Sequence, residues 1–553
     1  MKSPLMKNWK AWIVLLALGV SPAASGETPN VVNIVNFIRG VEPRTPMDLV
    51  EPVRQQLALA RKHQLPTTWL IQYDALIRPE FTDLLKKQMG PDDEIGAWLE
   101  VVQPQVEAAG LKWRGRFPWD WHVNVGFTQG YPVEQRKQLM DVYMAKFEEV
   151  FGFLPRSVGS WILDAPTLNY VHDRYGVETA CNCKDQSGTD GYTLWGGYWN
   201  QAYYPSRMNA YMPAQGGELQ LDVPVFRMLG SDPVHQYDHG VGGTWQGVVT
   251  LEPVYRPGGG DPSWVDWFFE TNFRQPSLEF SYMQAGQENS FGWDAMKDGL
   301  IDQYAKLQKW RDRGEIRVET LAASGAWFRK QFPHTPATSV VAMEDAVGAP
   351  ERSVWYESRF YRVNFAWSGD VWKIRDLHVF NERYPERYLE AKEDSSVATY
   401  DTLPVVDGFH WSEQGDLAAM APFAGEMRLK SRGMPVVEKV GEESLRVSVG
   451  ADDGGVWNIQ CDPDQVRIEL VESEQSENWG LDLRAAAKRK IPVASLDDHH
   501  IRYRHQGFEY GLDCGDSRVR QSEDGSSIRI ENEGGVVTLR FDRGEGAKGA
   551  SSH

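Results

Sequence analysis

The sequence predicts an α/β protein, in which a (β/α)7-type barrel is followed by an antiparallel β-sandwich domain. From about residue 30 to 345, apolar runs rich in β-forming residues alternate with amphipathic helical stretches across short links. After about residue 350 the apolar runs become short and alternating, and turn sequences such as DDGG and NEGG separate them. Repeated β-then-α units indicate a parallel sheet that closes into a barrel, whereas regularly spaced short strands are typical of a sandwich.

The spacing of apolar residues gives each element of the barrel in order. In the helix predicted over 46–63, for example, Leu49, Val53 and Leu57 recur on one face. Strands are predicted at 31–38, 67–72, 94–101, 122–127, 157–163, 177–183, 277–283 and 318–321. Further helices are predicted at 79–88, 104–109, 133–151, 166–175, 293–313 and 326–332.

Changes in composition divide the chain into four parts. Residues 1–26 are predicted to be a signal peptide, 27–348 the barrel domain, 349–542 the sandwich domain and 543–553 a disordered tail. Within the barrel domain, 184–262 is rich in Gly, Trp, Tyr, Asn and Pro and promises little regular structure. Long irregular segments inside compact domains are usually functional or disordered, and this one is too aromatic for disorder. We therefore expect an ordered insertion over the mouth of the barrel.

The first 26 residues have the features of a Sec-type signal peptide. Lys2, Lys7 and Lys10 form a basic head, residues 11–20 are apolar, and small residues follow at 22–26. A retained N-terminal anchor is the alternative interpretation. No other stretch reaches the ~20 apolar residues that a transmembrane helix needs. The mature chain is therefore expected to be periplasmic or secreted, with no membrane span.

The charge balance restricts the classes of partner. The chain carries 58 Lys and Arg against 77 Asp and Glu, and loss of the three leader lysines leaves 55 against 77, a charge of −22. This acidity argues against binding to nucleic acid or to anionic membrane surfaces. It would also repel a polyanionic substrate unless a basic pocket compensates.

The four cysteines leave their pairing open. Cys181 and Cys183 are two residues apart on a predicted strand, which places them close together but in a poor geometry for a disulfide. Cys461 and Cys514 lie in the late β-rich region. Export makes a disulfide between these two plausible, with free thiols as the alternative.

Polar and aromatic residues follow several of the predicted strands. Arg39 and Glu42 follow the first strand, Asp74 follows the second, and His122 stands beside the fourth. Because working residues of parallel barrels lie at the carboxyl ends of strands, each is a candidate substrate contact. The alternatives are a loop ion pair of Glu42 with either Arg39 or Arg44, and a structural role for His122.

Tryptophan is unusually frequent, with 22 residues against 22 Phe and 21 Tyr. A Trp ring can fill a core or serve as a flat platform for a ligand. Trp195, Trp199 and Tyr203 lie in the irregular segment and Trp161 lies at the end of the fifth predicted strand. Core packing would favour regular elements over that segment, so these rings are interpreted as sugar-stacking platforms.

The stretch Gly159–Tyr170 (GSWILDAPTLNY) contains the strongest candidate for a catalytic residue. Asp164 ends an apolar strand, and a proline two residues later begins a helix. A carboxylate there can serve as nucleophile or general base in glycosidic bond cleavage. Alternatively, it is the N-cap of the helix, because Asp before Ala-Pro is a good helix start.

This stretch resembles the glycoside hydrolase/deacetylase (β/α)-barrel superfamily. Trp161, Asp164 and Gly176-Val177 stand where its families 57 and 38 have a W-x-x-[ED] strand end, a helix and a Gly-plus-apolar strand. Phe291-Gly292-Trp293 matches the second catalytic motif, and Glu288 is the nearest acid, although strict register places Gln287 or Asn289 at the carboxylate positions. The block Asn36–Arg44 (NFIRGVEPR) is also similar to uncharacterised bacterial families.

The resemblance implies an exported glycoside hydrolase that acts on a poly- or oligosaccharide without a cofactor. Asp164 would be the nucleophile or base and Glu288 the proton donor.

The resemblance also leaves a metal-dependent carbohydrate deacetylase as an alternative. Deacetylases of the superfamily hold a divalent cation with an Asp and two His four residues apart, a spacing that occurs at His235 and His239. The Thr-Phe-Asp-Asp of their first strand is missing, and the surrounding sequence predicts a loop. A non-catalytic saccharide-binding protein is the third possibility.

Overall fold

The computed structural model describes residues 28–183, 197–238, 240–241, 247–397, 399–522 and 526–541, and the backbone of 186–187. The predicted signal peptide and the predicted tail lie outside these residues.

The strands, in chain order, are β1 (Asn30–Ile38), β2 (Thr68–Ile71), β3 (Glu94–Trp98), β4 (Ser157–Ser160), β5 (Thr179–Asn182), β6 (Gln186–Ser187), β7 (Ala202–Tyr203), β8 (Pro205–Ser206), β9 (Asn209–Pro213), β10 (Val225–Arg227), β11 (Ser281–Ala285), β12 (Arg317–Glu319), β13 (Thr338–Ala342), β14 (Arg352–Glu357), β15 (Tyr361–Ser368) and β16 (Val371–Val379). They continue with β17 (Thr399–Tyr400), β18 (Leu403–Asp407), β19 (Ala419–Ala424), β20 (Met427–Arg428), β21 (Ser431–Lys439), β22 (Leu445–Ala451), β23 (Val456–Asp462), β24 (Gln465–Val471), β25 (Gly480–Arg484), β26 (Val493–Leu496), β27 (His500–His505), β28 (Phe508–Asp513), β29 (Arg518–Gln521), β30 (Ser527–Glu531) and β31 (Val536–Phe541).

The helices are α1 (Val50–His63), α2 (Tyr73–Leu76), α3 (Pro79–Gln88), α4 (Gln103–Ala108), α5 (Val123–Gly126), α6 (Val133–Phe151), α7 (Ala165–Tyr175), α8 (Pro262–Arg274), α9 (Trp293–Asp312) and α10 (Leu321–Gln331), with short 3-10 turns at Thr128–Gly130 and Asn289–Phe291.

The first sheet is a nearly closed barrel. Its strands run in the order β11-β1-β2-β3-β4-β5-β10-β7, and β12 pairs with the first part of β1. Every neighbour from β11 to β10 is parallel, and β7 is antiparallel to β10. Gln201 spans the remaining gap, since its backbone oxygen accepts from Arg227 N–H at 2.9 Å and its side-chain oxygen accepts from Tyr282 N–H at 2.9 Å.

The predicted barrel is thereby confirmed in outline. One predicted strand, 122–127, is not a strand in the structure, and β10, which was not predicted, completes the parallel set. The segment predicted as a strand at 122–127 instead forms α5, because the chain turns back on itself there: the N–H groups of Val125 and Gly126 donate to the His122 carbonyl. The strand β10 lies inside the segment predicted to be irregular. It is only three residues long, so it has no periodicity that a sequence pattern could reveal.

Both faces of the barrel sheet are covered, as expected of parallel strands. β2, β4, β5, β10 and β11 consist of buried residues throughout. Phe37 and Trp98 stack inside the barrel with ring centres 4.2 Å apart.

The second half of the chain forms a sandwich of two antiparallel sheets. One has the order β13-β14-β15-β16-β19-β25-β30-β29 and the other β21-β22-β23-β24-β31-β28-β27-β26. The rings of Tyr361 and Phe541, one from each sheet, stack 4.0 Å apart between them. β13 already belongs to the first of these two sandwich sheets, where it pairs with β14. The sandwich therefore begins at Thr338 rather than at residue 349.

Cys461 and Cys514 lie buried in the sandwich as free thiols, so the disulfide alternative is not realised. No helix among the described residues is long and apolar enough to cross a membrane.

The segment 380–397, which follows β16, runs back onto the barrel. The two carboxylate oxygens of Glu386 accept from the N–H groups of Ala165 at 2.9 Å and Ala210 at 3.0 Å. Arg136 on α6 donates to the carbonyls of Tyr388 and Ala391 at 2.8 and 2.6 Å. The sandwich domain is therefore fastened to the barrel by a buried polar contact.

Candidate active site

A cavity of about 480 Å³ opens at the carboxyl ends of the barrel strands. Its wall carries three carboxylates, an arginine and three aromatic rings among ten residues: Glu42, Arg44, Thr45, Met47, Trp161, Glu252, Tyr255, Glu288, Ser290 and Phe291. This is the position at which parallel barrels hold their ligands. Glu42, Trp161 and Glu288, which the sequence singled out, meet here.

Arg39 does not line this cavity but contacts two residues that do, Glu288 and Ser290. It follows β1, is fully buried, and donates from Nε and Nη2 to both oxygens of Glu100 at 3.1 and 2.9 Å. Its Nη1 donates to Glu288 at 2.9 Å. The guanidinium carbon lies 4.0 Å from the centre of the Trp119 ring. Arg39 therefore acts on the cavity through Glu288, which it holds in place, rather than as the substrate contact that was predicted.

Asn289 fixes the backbone of Arg39. Its side-chain oxygen accepts from Arg39 N–H at 2.8 Å, and its side-chain nitrogen donates to the Arg39 carbonyl at 2.9 Å. Asn289 stands at one of the two positions where the resembled motif has carboxylates. Here an amide suits the position better, because it must both donate and accept.

Gln287 occupies the other position and links the Glu252 carboxylate to the backbone of Glu288. Its amide nitrogen donates to Glu252 at 3.0 Å, and its amide oxygen accepts from Glu288 N–H at 2.8 Å. Gln303 on α9 holds the loop that carries Glu252, since its amide donates to the Leu251 carbonyl at 2.8 Å. Sequence reasoning missed Glu252, because it lies in the irregular segment and no motif marks it.

Glu42 and Arg44 form an ion pair on the cavity wall at 2.7 Å, with the Glu42 side chain 3% exposed. Burial acts to raise the pKa of Glu42. The hydrogen bonds and charge of Arg44, together with the charge of Arg39, outweigh burial and hold that pKa below its usual value. The ion-pair interpretation of this loop is confirmed, and the pair also faces the cavity.

Aromatic rings supply the apolar part of the wall. Trp161 packs edge-on against Phe37 and Trp98, with ring centres 5.5 and 6.1 Å away. Tyr255 is 50% exposed and packs edge-on against Phe291 at 5.9 Å. Such faces suit the apolar surface of a sugar ring.

Asp164 lies outside this cavity and is fully buried. It is the N-cap of α7 and accepts from Thr167 N–H at 2.9 Å. It also forms an ion pair with Arg136 at 2.9 Å and accepts from the hydroxyls of Thr128 and Thr167. The capping alternative therefore describes Asp164, and the predicted catalytic role is replaced by a structural one.

Two further candidates also hold the structure together. Asp74 is buried and accepts from Gly40 N–H at 2.9 Å, which fixes the loop after β1; burial raises its pKa to about 6. His122 lies on an outer loop, where its Nδ1 is 2.6 Å from a carboxylate oxygen of Asp120. Neither residue lines the cavity.

The aromatic residues of the irregular segment mostly pack against the sandwich. Trp199 is 2% exposed and stacks on Trp355 of β14 with ring centres 4.3 Å apart. Tyr203 is buried and donates from its hydroxyl to the Ala210 carbonyl at 2.7 Å. The prediction that these two rings are platforms is wrong, because Trp199 is buried against the sandwich and Tyr203 is buried against Tyr198 of its own segment. Trp195 lies outside the described residues.

The alternative metal site does not fit the residues that are described. The two ring nitrogens of His235 are occupied by Asp238 and, at 3.2 Å, by Asp345. The hydrogen bond to Asp238 outweighs burial and, with the nearby carboxylates, raises the His235 pKa to about 9. His239 is not among the described residues, and within them no group of three or more His, Cys, Asp or Glu is placed to hold a metal ion.

No protein-family model matches the chain, and no curated protein matches it significantly. The crystal structure of a candidate glycoside hydrolase/deacetylase from Parabacteroides distasonis is similar over 67% of this chain and 88% of its own, with 16% identity and a TM-score of 0.48.

Two archaeal enzymes are also similar in structure. A GH57 branching enzyme from Thermococcus kodakaraensis matches 55% of this chain and 72% of its own, with 9% identity and a TM-score of 0.28. A 4-alpha-glucanotransferase from Thermococcus litoralis matches 93% of this chain and 100% of its own, with 10% identity and a TM-score of 0.27. At these values none of the three carries a catalytic residue or a substrate over to this chain.

Proposed function

We propose that this protein is a glycoside hydrolase that cleaves a poly- or oligosaccharide with two carboxylates, Glu252 and Glu288. The observation that carries the proposal is that both line one cavity at the barrel mouth, beside the Trp161 ring. Paired carboxylates beside an aromatic surface are what glycosidic bond cleavage requires, because one group must donate a proton and the other must attack or activate water.

The neighbours of the two carboxylates suggest how the roles divide. Glu288 accepts from the Arg39 guanidinium, and a cation at 2.9 Å stabilises an ionised carboxylate. We assign it as the nucleophile or general base. Glu252 accepts from the neutral amide of Gln287 and from Thr250 O–H at 3.5 Å. Since Glu288 takes the role of base and Arg44 holds the third cavity carboxylate, Glu42, in its ionised form, we assign Glu252 as the acid that protonates the departing glycosidic oxygen.

The remaining wall residues would bind the sugar. Tyr255 offers an exposed ring face, Trp161 adds the small part of its surface that lines the cavity, and Glu42 and Arg44 offer hydrogen-bonding groups for hydroxyls. Gln287 would hold the Glu252 carboxylate beside the backbone of Glu288. The separation of the two carboxylates decides whether the configuration of the product is retained or inverted.

The test is a screen of the mature chain on polysaccharides with analysis of the released sugars. For the substrate that is cleaved, Glu252→Gln and Glu288→Gln should each lower kcat by at least about 100-fold. The first substitution removes the proton donor, and the second removes the nucleophile or general base. Glu134→Gln is the matched control, since that side chain is 78% exposed on α6. It should retain wild-type activity.

The outcomes are distinct. Activity that survives either cavity substitution in a folded protein would refute the assignment of that residue. Measurable saccharide binding without any cleavage would select the non-catalytic alternative, and acetate release that a chelator stops would select the deacetylase.

We also propose that residues 1–26 are removed on export and that the protein acts in the periplasm or outside the cell. Sequencing of the N-terminus of the protein recovered from the periplasm or medium tests this. An intact Met1 would contradict it.

A further inference from the structure

A loop beside the cavity has a charge opposite to that of the chain as a whole. Residues 111–122 (LKWRGRFPWDWH) contain three cations, Lys112, Arg114 and Arg116, and one carboxylate, Asp120. The three cationic side chains are exposed. Asp120 is 2% exposed and forms an ion pair with Arg116 at 3.1 Å. Lys112 and Arg114 form no ion pair with any residue that the structure describes, so no carboxylate among those residues neutralises their charges.

Aromatic rings on this loop connect it to the cavity. The guanidinium carbon of Arg44 lies 5.3 Å from the centre of the Trp121 ring. Arg44 lines the cavity wall, so this contact joins the loop to the cavity. Arg116 lies 4.9 Å from the same ring. Phe117, which is 38% exposed, stacks on Trp121 with ring centres 6.1 Å apart and planes 15° from parallel. We call residues 111–122 together with Arg44 the basic rim.

Hydrogen bonds and ring contacts hold this loop in a defined conformation. Arg114 donates to the Gly130 carbonyl at 2.6 Å and lies 4.5 Å from the Tyr131 ring centre. Trp113 donates from its ring nitrogen to the Phe117 carbonyl at 2.8 Å. These contacts use hydrogen-bond donors and ring faces but leave the cationic charge uncompensated.

A cationic patch next to the binding cavity of a strongly acidic protein has a physical consequence. The net charge of the chain repels anions at long range, whereas the basic rim attracts them locally. A ligand that binds in the cavity and is also attracted by the basic rim needs two features. It must place a sugar ring in the cavity, and it must carry negative groups a short distance along the same molecule. A neutral saccharide could accept hydrogen bonds from Lys112 and Arg114 but would gain no charge–charge attraction from them.

We propose that the basic rim binds anionic units of an acidic polysaccharide, one that carries uronate carboxylates or sulfate esters, and that the cavity holds the neighbouring unit of the same chain. This inference names the substrate class of the site and rests on the proposed function for the cleavage step only. The binding itself does not depend on hydrolysis.

The experiment measures binding by affinity electrophoresis of the full mature chain in gels that contain polygalacturonate, a sulfated galactan, neutral galactan or DNA. We expect both acidic polysaccharides to retard the protein and the neutral one to retard it at least about tenfold less. Raising the salt from 0.05 to 0.5 M should weaken the retardation, because exposed charges are screened.

Variants separate charge from structure. Lys112→Gln/Arg114→Gln should weaken binding to the acidic polysaccharides about tenfold, whereas Lys112→Arg/Arg114→Lys, which keeps the charge, should bind as the wild type does. The control Lys62→Gln/Lys87→Gln removes the same charge from exposed positions on α1 and α3. It should leave binding unchanged.

Each outcome decides something. Equal binding to acidic and neutral galactan, equal retardation by DNA, or equal weakening in the control variant would overturn the proposal. Cleavage restricted to neutral saccharides would also overturn it while leaving the hydrolase assignment intact. Selective binding of acidic polysaccharide through the basic rim, without cleavage of any polymer, would uphold it and refute the hydrolase assignment.

Discussion

Exchange of Asp164 for asparagine separates the structural from the catalytic interpretation of this carboxylate. Asparagine has nearly the same size and keeps an oxygen that can accept from Thr167 N–H, so the cap on α7 survives. The negative charge 2.9 Å from Arg136 is lost, and the Arg136 side chain is only 1% exposed. The substitution should therefore act on stability.

The expected magnitude follows from the burial of the pair. Removing one partner of a buried ion pair lowers the free energy of unfolding by about 3–5 kcal/mol, because the remaining charge is buried without a counter-charge or solvation. Two features favour the lower end. Arg136 keeps its bonds to three backbone carbonyls. Burial and the Asp164 charge raise the pKa of Glu386 to about 8, so loss of that charge lets Glu386 ionise more readily nearby. We expect a loss of about 3 kcal/mol.

Urea denaturation followed by circular dichroism measures the free energy of unfolding. Asp173→Asn is the control, because Asp173 lies on the same helix with a side chain 56% exposed, and it should change stability by no more than about 0.5 kcal/mol. Hydrolysis per folded molecule should match the wild type. An unchanged unfolding midpoint with hydrolysis abolished would refute this reasoning and restore the catalytic role.

Three further predictions address the cavity, a pH-sensitive ion pair and a tight turn. Gln287→Leu should lower kcat with little change in KM, because the link between Glu252 and Glu288 is lost; a change in KM alone in steady-state kinetics would argue against the link. The carboxylates around His235 raise its pKa to about 9, so its stabilising contribution is complete below pH 6.5 and disappears as the pH rises through about 9. His235→Gln should thus cost stability in urea denaturation at pH 6 but little at pH 10, and equal losses at both would contradict this. Gly126→Ala should lower the melting temperature, since the added Cβ would lie 1.8 Å from the Asp120 carbonyl oxygen, and an unchanged melting temperature would show that the turn can relax.

The parts of the fold that could be predicted are those whose signal is local. The helix Val133–Phe151 and the strand Asn30–Ile38 have long apolar patterns, and the structure has them at almost the predicted bounds. Glu42, Trp161 and Glu288 could also be placed together from local signals, because the carboxyl ends of parallel strands meet at one edge of the barrel, and all three line one cavity there.

The parts that could not be predicted depend on contacts between distant segments. Glu252 reaches the cavity because Gln303, far along the chain, holds its loop. Trp199 is buried by Trp355 of the sandwich, which no pattern around Trp199 could indicate. The sequence around Asp164 fits both a helix cap and a catalytic motif, and the buried contacts with Thr167 and Arg136 decide between them.

The attachment of the 380–397 segment to the barrel bears on how this architecture can vary in evolution. Because Glu386 satisfies the N–H groups of Ala165 and Ala210, a barrel severed from its sandwich would leave both donors and the Arg136 guanidinium without those partners. Exchange of the second domain for an unrelated one would carry the same penalty. The barrel is therefore not a portable module, and shuffling of this domain pair should be tolerated only when the 380–397 segment travels with the barrel.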